Sequence, residues 1–134
     1  MDAYEQALFD ATNARRAANG LAPLRPNGYL VGVARLRSQE MATYEYFSHT
    51  SPITGDNAFS LMESYGITYG WAGENLAMNN YANGECVGVA DQALFDSQPH
   101  RENLLHPHYT DMGIGHSVTA EGMHYFTVIF TGPA

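Results

Sequence analysis

The chain has 134 residues, one cysteine, fourteen acidic residues, six arginines and no lysine, for a formal charge of −8. That balance excludes docking on nucleic-acid phosphates or on an anionic membrane, and a lone thiol excludes an intrachain disulfide or a cysteine-built metal cluster. With 45% hydrophobic and 15% charged residues the composition is that of a globular domain, no apolar run reaches the ~18 residues of a membrane span, and the length predicts one domain over residues 1–134.

Residues 2–19 read as a helix: Ala3, Ala7, Leu8, Ala11, Ala14 and Ala18 recur at three- and four-residue steps, with Asp2 placed to cap the start and Gly20 to stop the end. A proline-punctuated connector follows, Leu21 to Gly28. A second helix is expected from about Tyr29 to Tyr46, with Leu30, Val33, Ala34, Met41 and Tyr44 on its apolar side. Arg35, Arg37, Glu40 and Glu45 are assigned to its solvated face, Arg37 lying close to the stripe. Phe47-Ser-His-Thr-Ser-Pro-Ile-Thr-Gly-Asp is loop chemistry, and a histidine among hydroxyls is where sites tend to be built. Asp56 or Asn57 caps a short helix that Gly66 ends. The Gly- and aromatic-rich stretch Tyr69 to Asn79 suggests a turn or short strand, and a helix is expected from about Glu85 to Asp96. Cys86, in an apolar patch, reads as a buried structural thiol.

Phe95 to Gly115 concentrates the chemistry: three histidines, two prolines and a Gly-x-Gly exit in about twenty residues. Pro99 fits only the first turn of a helix and pushes Gln98 out of the helical region. His100 then sits in a first turn, where outward N–H groups disfavour positive charge and favour a neutral imidazole. Two final strands, Asp111 to Thr119 and Met123 to Thr131, form a hairpin. Helices first, then mixed elements, then a hairpin make an α+β pattern.

Four segments resemble the signature of the CAP superfamily (cysteine-rich secretory, antigen 5 and pathogenesis-related 1 proteins) in its short bacterial form. They are Ala34 to Ala42, Phe47-Ser-His-Thr-Ser-Pro, Gly73-Glu-Asn-Leu-Ala, and Ser97 to Pro107 with Met112-Gly-Ile-Gly; Asn13 to Leu24 is similar too. The resemblance implies a three-layer α-β-α sandwich with a small antiparallel sheet between helical layers. It also implies a cleft that in some members holds zinc or another divalent cation. By position His49, Glu74 and His100 match the cleft's two histidines and one of its acids. Phe95 stands where animal and plant members have tryptophan, and Gln98 near a second glutamate, so Asp96, Gln98 or water would complete the set and the cation would be held weakly.

Two imidazoles and a carboxylate with an open position make a zinc-type set. The expectation is a secreted or envelope-facing bacterial module, a monomer whose leader has been removed. Its cleft would bind a small ligand, a lipid or a partner protein, with no nucleic-acid partner. The alternative is a metal-assisted or serine-type hydrolase in the same cleft. It would draw on His49, Glu74, His100 and a serine beside a histidine (Ser48 first, with Ser51 and Ser97 also adjacent). A third reading is a plain interaction domain. Tyr69, Trp71, Tyr81 and Tyr109 are candidates to line an apolar groove for a lipid. His106, His108, His116 and His124 read as surface or structural residues, and Arg101 and Glu102 as pairing with other helices.

Overall fold

The computed structural model describes all of residues 1–134. Helix α1 spans Ala3–Ala18, and Asp2 and Glu5 close a reciprocal capping box at its start, each side chain taking the other's backbone N–H at 2.7 Å. Helix α2 spans Gly28–Tyr44, capped by Asn27, and α3 spans Ala58–Ser64, capped by Asn57. Helix α4 (Cys86–Asp96) and helix α5 (Gln98–Leu104) meet at Ser97. Ser97, with ψ of 119°, is the extended residue between them, so the break falls one position earlier than the proline rule suggests and Gln98 is already helical.

Strands β1 (Arg25–Pro26), β2 (Trp71–Asn79), β3 (Asp111–Val118) and β4 (His124–Gly132) form one sheet in the order β1-β3-β4-β2. Only the β1–β3 pair is parallel. The proline-punctuated connector contributes the short strand β1, and of the turn or short strand expected over Tyr69 to Asn79 it is the strand that forms, nine residues long. β2 pairs along its whole length with β4, which compensates for the weak strand propensity of its glycine and asparagine residues.

The two faces of the sheet bury different helices. Met112, Ile114, Phe126, Val128 and Phe130 pack with Leu8, Phe9, Ala90, Leu94 and Leu104 from α1, α4 and α5. The opposite face packs Ile129 against Leu30, Val33 and Ala34 of α2 and Leu61 and Met62 of α3. This is the expected α-β-α arrangement. Gly113 and Gly115 explain how α2 comes so close: a Cβ on either would strike the helix backbone, at Leu30–Val31 and at Ala34–Arg35. The Gly-x-Gly exit of the central stretch is therefore a packing device. Cys86 is buried, and burial raises its thiol pKa, as expected for a structural cysteine. No helix is long and apolar enough to cross a membrane.

Candidate functional site

The apolar stripe of α2 runs Leu30, Val33, Ala34, Arg37, Met41, and its four-residue step carries Arg37 into the protein. Arg37 is 2% exposed, so its placement on the solvated face is overturned. Its long side chain reaches β2 and meets Glu74, whose carboxylate is equally buried. Arg37 Nε donates to Glu74 Oε2 at 3.0 Å and Nη2 to Oε1 at 3.3 Å. Nη2 also donates to the Ser48 carbonyl at 2.6 Å. One guanidinium thus neutralises the carboxylate and anchors the loop that carries His49.

His49 Nδ1 lies 2.7 Å from Glu74 Oε1, with the imidazole 62% exposed. Because the carboxylate accepts, Nδ1 carries the proton of this bond, and Nε2 is left on the far side of the ring. Glu40, also expected on the solvated face, is half-buried and accepts from Tyr46 Oη at 2.8 Å and from Ser51 Oγ. Ser51 further accepts from the Ile53 and Thr54 amides, and Ser48 Oγ from the Thr50 amide. Both serines are turn formers.

His100 comes from the first turn of α5. Its Nδ1 lies 2.8 Å from Ser97 Oγ, and no side-chain cap bond is made by Ser97 to the α5 amides. Burial first, and the nearby His49 second, lower the His100 pKa, so the ring is neutral at physiological pH. The Asn75 side chain donates to the His100 carbonyl at 2.9 Å, and Asn103 Nδ2 donates to Asn75 Oδ1 at 2.8 Å. A ladder of amides thereby fixes α5 against β2, beside Glu74.

The structure therefore joins His49 to Glu74 directly, and the Asn75 and Asn103 bonds hold α5, with His100 in its first turn, against the strand that carries Glu74. It does not bring Asp96 or Gln98 in: both are exposed, and they bond Gln92 and Glu102 within their own helices. No three His, Cys, Asp or Glu side chains are grouped as a metal cage. Arg101 donates to the Phe95 carbonyl and lies over the Phe95 ring, so it closes the α4–α5 joint. The four aromatics do not share a groove: Tyr109 is buried on Phe130, and Trp71 stacks on His108 at 4.3 Å. A different apolar groove of about 230 Å3 lies between β2 and α4, walled by Phe47, Val89 and Ala93 and ending at Ser97 and His100. His116 and His124 are structural, Nε2 to Nδ1 at 2.9 Å, and His124 is 1% exposed, not on the surface.

The α-β-α sandwich, with helices on both faces of one four-stranded sheet, defines the class of fold. The sequence model of the cysteine-rich secretory protein family, CAP, matches residues 9–130, and the chain belongs to that family. It is 40% identical over 116 residues to the uncharacterized Bacillus subtilis protein YkwD, covering 87% of this chain and 43% of YkwD. Among solved structures it is similar to a SCP-domain extracellular protein from Bacillus anthracis, at 29% identity and TM-score 0.81. That match covers 96% of this chain and 40% of the other. An outer surface protein from Borrelia burgdorferi shares the fold at TM-score 0.86 and 18% identity, with 100% and 97% of the two chains covered. The chain spans less than half the length of YkwD and of the Bacillus anthracis protein.

Proposed function

We propose that this domain is a ligand-binding module of the cell exterior or envelope. In this reading the His49–His100 cleft takes a divalent cation and, beside it, a small ligand or partner. The observation that carries the reading is the tethering of both imidazoles at Nδ1, His49 by Glu74 and His100 by Ser97, which leaves both Nε2 atoms without a protein partner. Ligating histidines are typically held this way, through the far nitrogen by a carboxylate or other polar group. Here the donor set fits a cation held by two neutral imidazoles and water, with Glu74 and Ser97 behind them as orienting groups. Glu74 itself has both oxygens occupied by Arg37 and His49, so it acts through His49. Two ligands instead of three or four, on an exposed rim, make the affinity modest.

Zinc titration by calorimetry on metal-free protein tests this. Saturable binding is expected, abolished in His49→Ala/His100→Ala and weakened about 10- to 100-fold in Glu74→Gln and Ser97→Ala. Equal heats in wild type and the double variant would remove the cation from the account.

A hydrolase is the second reading, and one contact favours it: Ser97, rather than Ser48, is the hydroxyl hydrogen-bonded to a cleft histidine. Ester turnover lost in Ser97→Ala and in His100→Ala, yet kept in Ser48→Ala, would establish it.

A further inference from the structure

We propose that the outer edge of β2 is a docking site for an extended peptide, which pairs with Leu76 and Met78 and is led along the strand to the His49–His100 cleft. This names a ligand class for the binding reading above; it rests on that cleft but not on the cation.

The sheet order leaves β2 outermost. Which of its backbone groups are free follows from the far side of the sheet. Arg25 and Asn27 donate to the carbonyls of Thr110 and Met112 at 2.8 and 3.1 Å, so the even-numbered groups of this part of β3 turn away from β4. Carried through the registers Gly113↔Ile129 and Gly73↔Phe130, the alternation makes the odd-numbered residues of β2 bond β4. Glu74, Leu76 and Met78 then face outward. Glu74 agrees: its carbonyl accepts from the Asn103 side chain at 3.4 Å, on the α5 side. Beyond that point no loop or side chain bonds the N–H or C=O of Leu76 or Met78. Two donors and two acceptors remain open.

Leu76 and Met78, the residues that carry these four groups, both line the 230 Å3 groove. Its lining includes Leu76, Ala77, Met78 and Asn79 in succession. Successive strand side chains point to opposite faces, so four in a row border one groove only if it follows the strand's edge. α4 forms one wall and Phe47, from the loop after α2, stands on the other.

The charge pattern selects the occupant. Positive N–H and negative C=O groups alternating at a two-residue repeat are matched by another extended backbone. A lipid tail would leave them unpaired at a cost of about 1–3 kcal/mol each. The edge is also recessed between α4 and Phe47, which obstructs the sheet edge of a second copy while admitting a single strand ~4.8 Å away. The apolar walls accept its alternate side chains. Because Asn79 bonds the Cys86 carbonyl and Asn75 the His100 carbonyl, α4 and β2 run antiparallel, and the groove opens onto the cleft at its Leu76 end.

The test uses five blocked hexapeptides, acetyl-Thr-X-Thr-X-Thr-Thr-amide with X as Val, Leu, Phe, Lys or Glu, titrated to about 1 mM. Amide resonances of the 15N-labelled protein are followed in EDTA, so the cation plays no part. At least one peptide is expected to shift Leu76 and Met78 and slow their hydrogen exchange. Its analogue N-methylated at the X residues or, separately, at the Thr residues is expected to bind at least tenfold more weakly in one of the two patterns, and Ala93→Trp to block the groove. Three results would overturn the proposal: no peptide moving these amides, both N-methylated patterns binding as well as the parent, or shifts produced by decanoate alone, which would make the groove a lipid site. Concentration-dependent dimerisation protecting the same amides would assign the edge to self-association and overturn it equally. Zinc binding in the same protein remains a separate readout, so failure of the peptide leaves the cation reading standing.

Discussion

Arg37→Met isolates the contact on which the cleft depends. The substitution keeps a long apolar stem of similar length and removes the guanidinium, leaving the Glu74 carboxylate 2% exposed with no cation beside it. Breaking one partner of a buried pair costs about 3–5 kcal/mol. The Ser48 carbonyl and Tyr46 hydroxyl lose a donor as well, at 2.6 and 3.4 Å. At this chain length a loss of that size lowers the melting temperature by roughly 10–20 °C. Replacing both partners with Met removes the stranded charge, so the double variant should be more stable than the sum of the single losses by at least about 2 kcal/mol. Urea unfolding of wild type, both single variants and the double variant supplies the cycle. Strict additivity, or an Arg37→Met loss under about 1 kcal/mol, would mean that Glu74 finds another partner or water and that the cleft is not built on this pair.

Acid should weaken the fold in two stages. Burial is the leading cause that lowers the pKa of His100, His116 and His124. The unfolded chain therefore binds their protons first, and stability present above pH ~6.5 declines as pH falls through that value. Glu5 and Asp111 follow: burial opposes their ionisation, but hydrogen bonds from Arg35 to Glu5 and from Asn27, Thr110 and Arg25 to Asp111 prevail and hold both below the usual carboxylate range. Their contribution is lost at lower pH, as the unfolded carboxylates protonate near ~4. Denaturant titrations from pH 8 to 3 check both stages, and a flat profile above pH 5 would refute the histidine stage. Gly115→Ala should cost about 1–3 kcal/mol, because its Cβ meets α2 backbone, which cannot rotate away; a neutral result by thermal melting would show that α2 shifts freely. Cys86 should resist thiol reagents in the native state and react on unfolding, and labelling kinetics decide this.

The parts of this fold that were legible in the sequence are those with local causes. Asp2, the Asp56–Asn57 pair and Pro99 mark helix starts because capping chemistry is confined to a few residues, and the β-branched run of β4 announces a strand. Arg37 was missed because its charge argued for solvent while its spacing argued for the core. The four-residue step from Val33 to Arg37 to Met41 was the usable signal. β2 was underread because its pairing energy comes from β4, some fifty residues away. His49, Glu74 and His100 could be singled out by resemblance, but not the asymmetry of their roles. That depends on Arg37 claiming one side of Glu74, and on the Ser97 hydroxyl, placed between two helices, making its side-chain bond to His100 instead of capping α5.

The protonation pattern of the two cleft imidazoles is the most direct measurement. Long-range 1H–15N spectra should show a proton on His49 Nδ1, held by the Glu74 carboxylate, and added zinc should move the Nε2 signals of His49 and His100 together. A His49 Nδ1 without its proton, or zinc leaving both Nε2 signals in place, would contradict the assignment of this cleft as a tethered two-imidazole cation site.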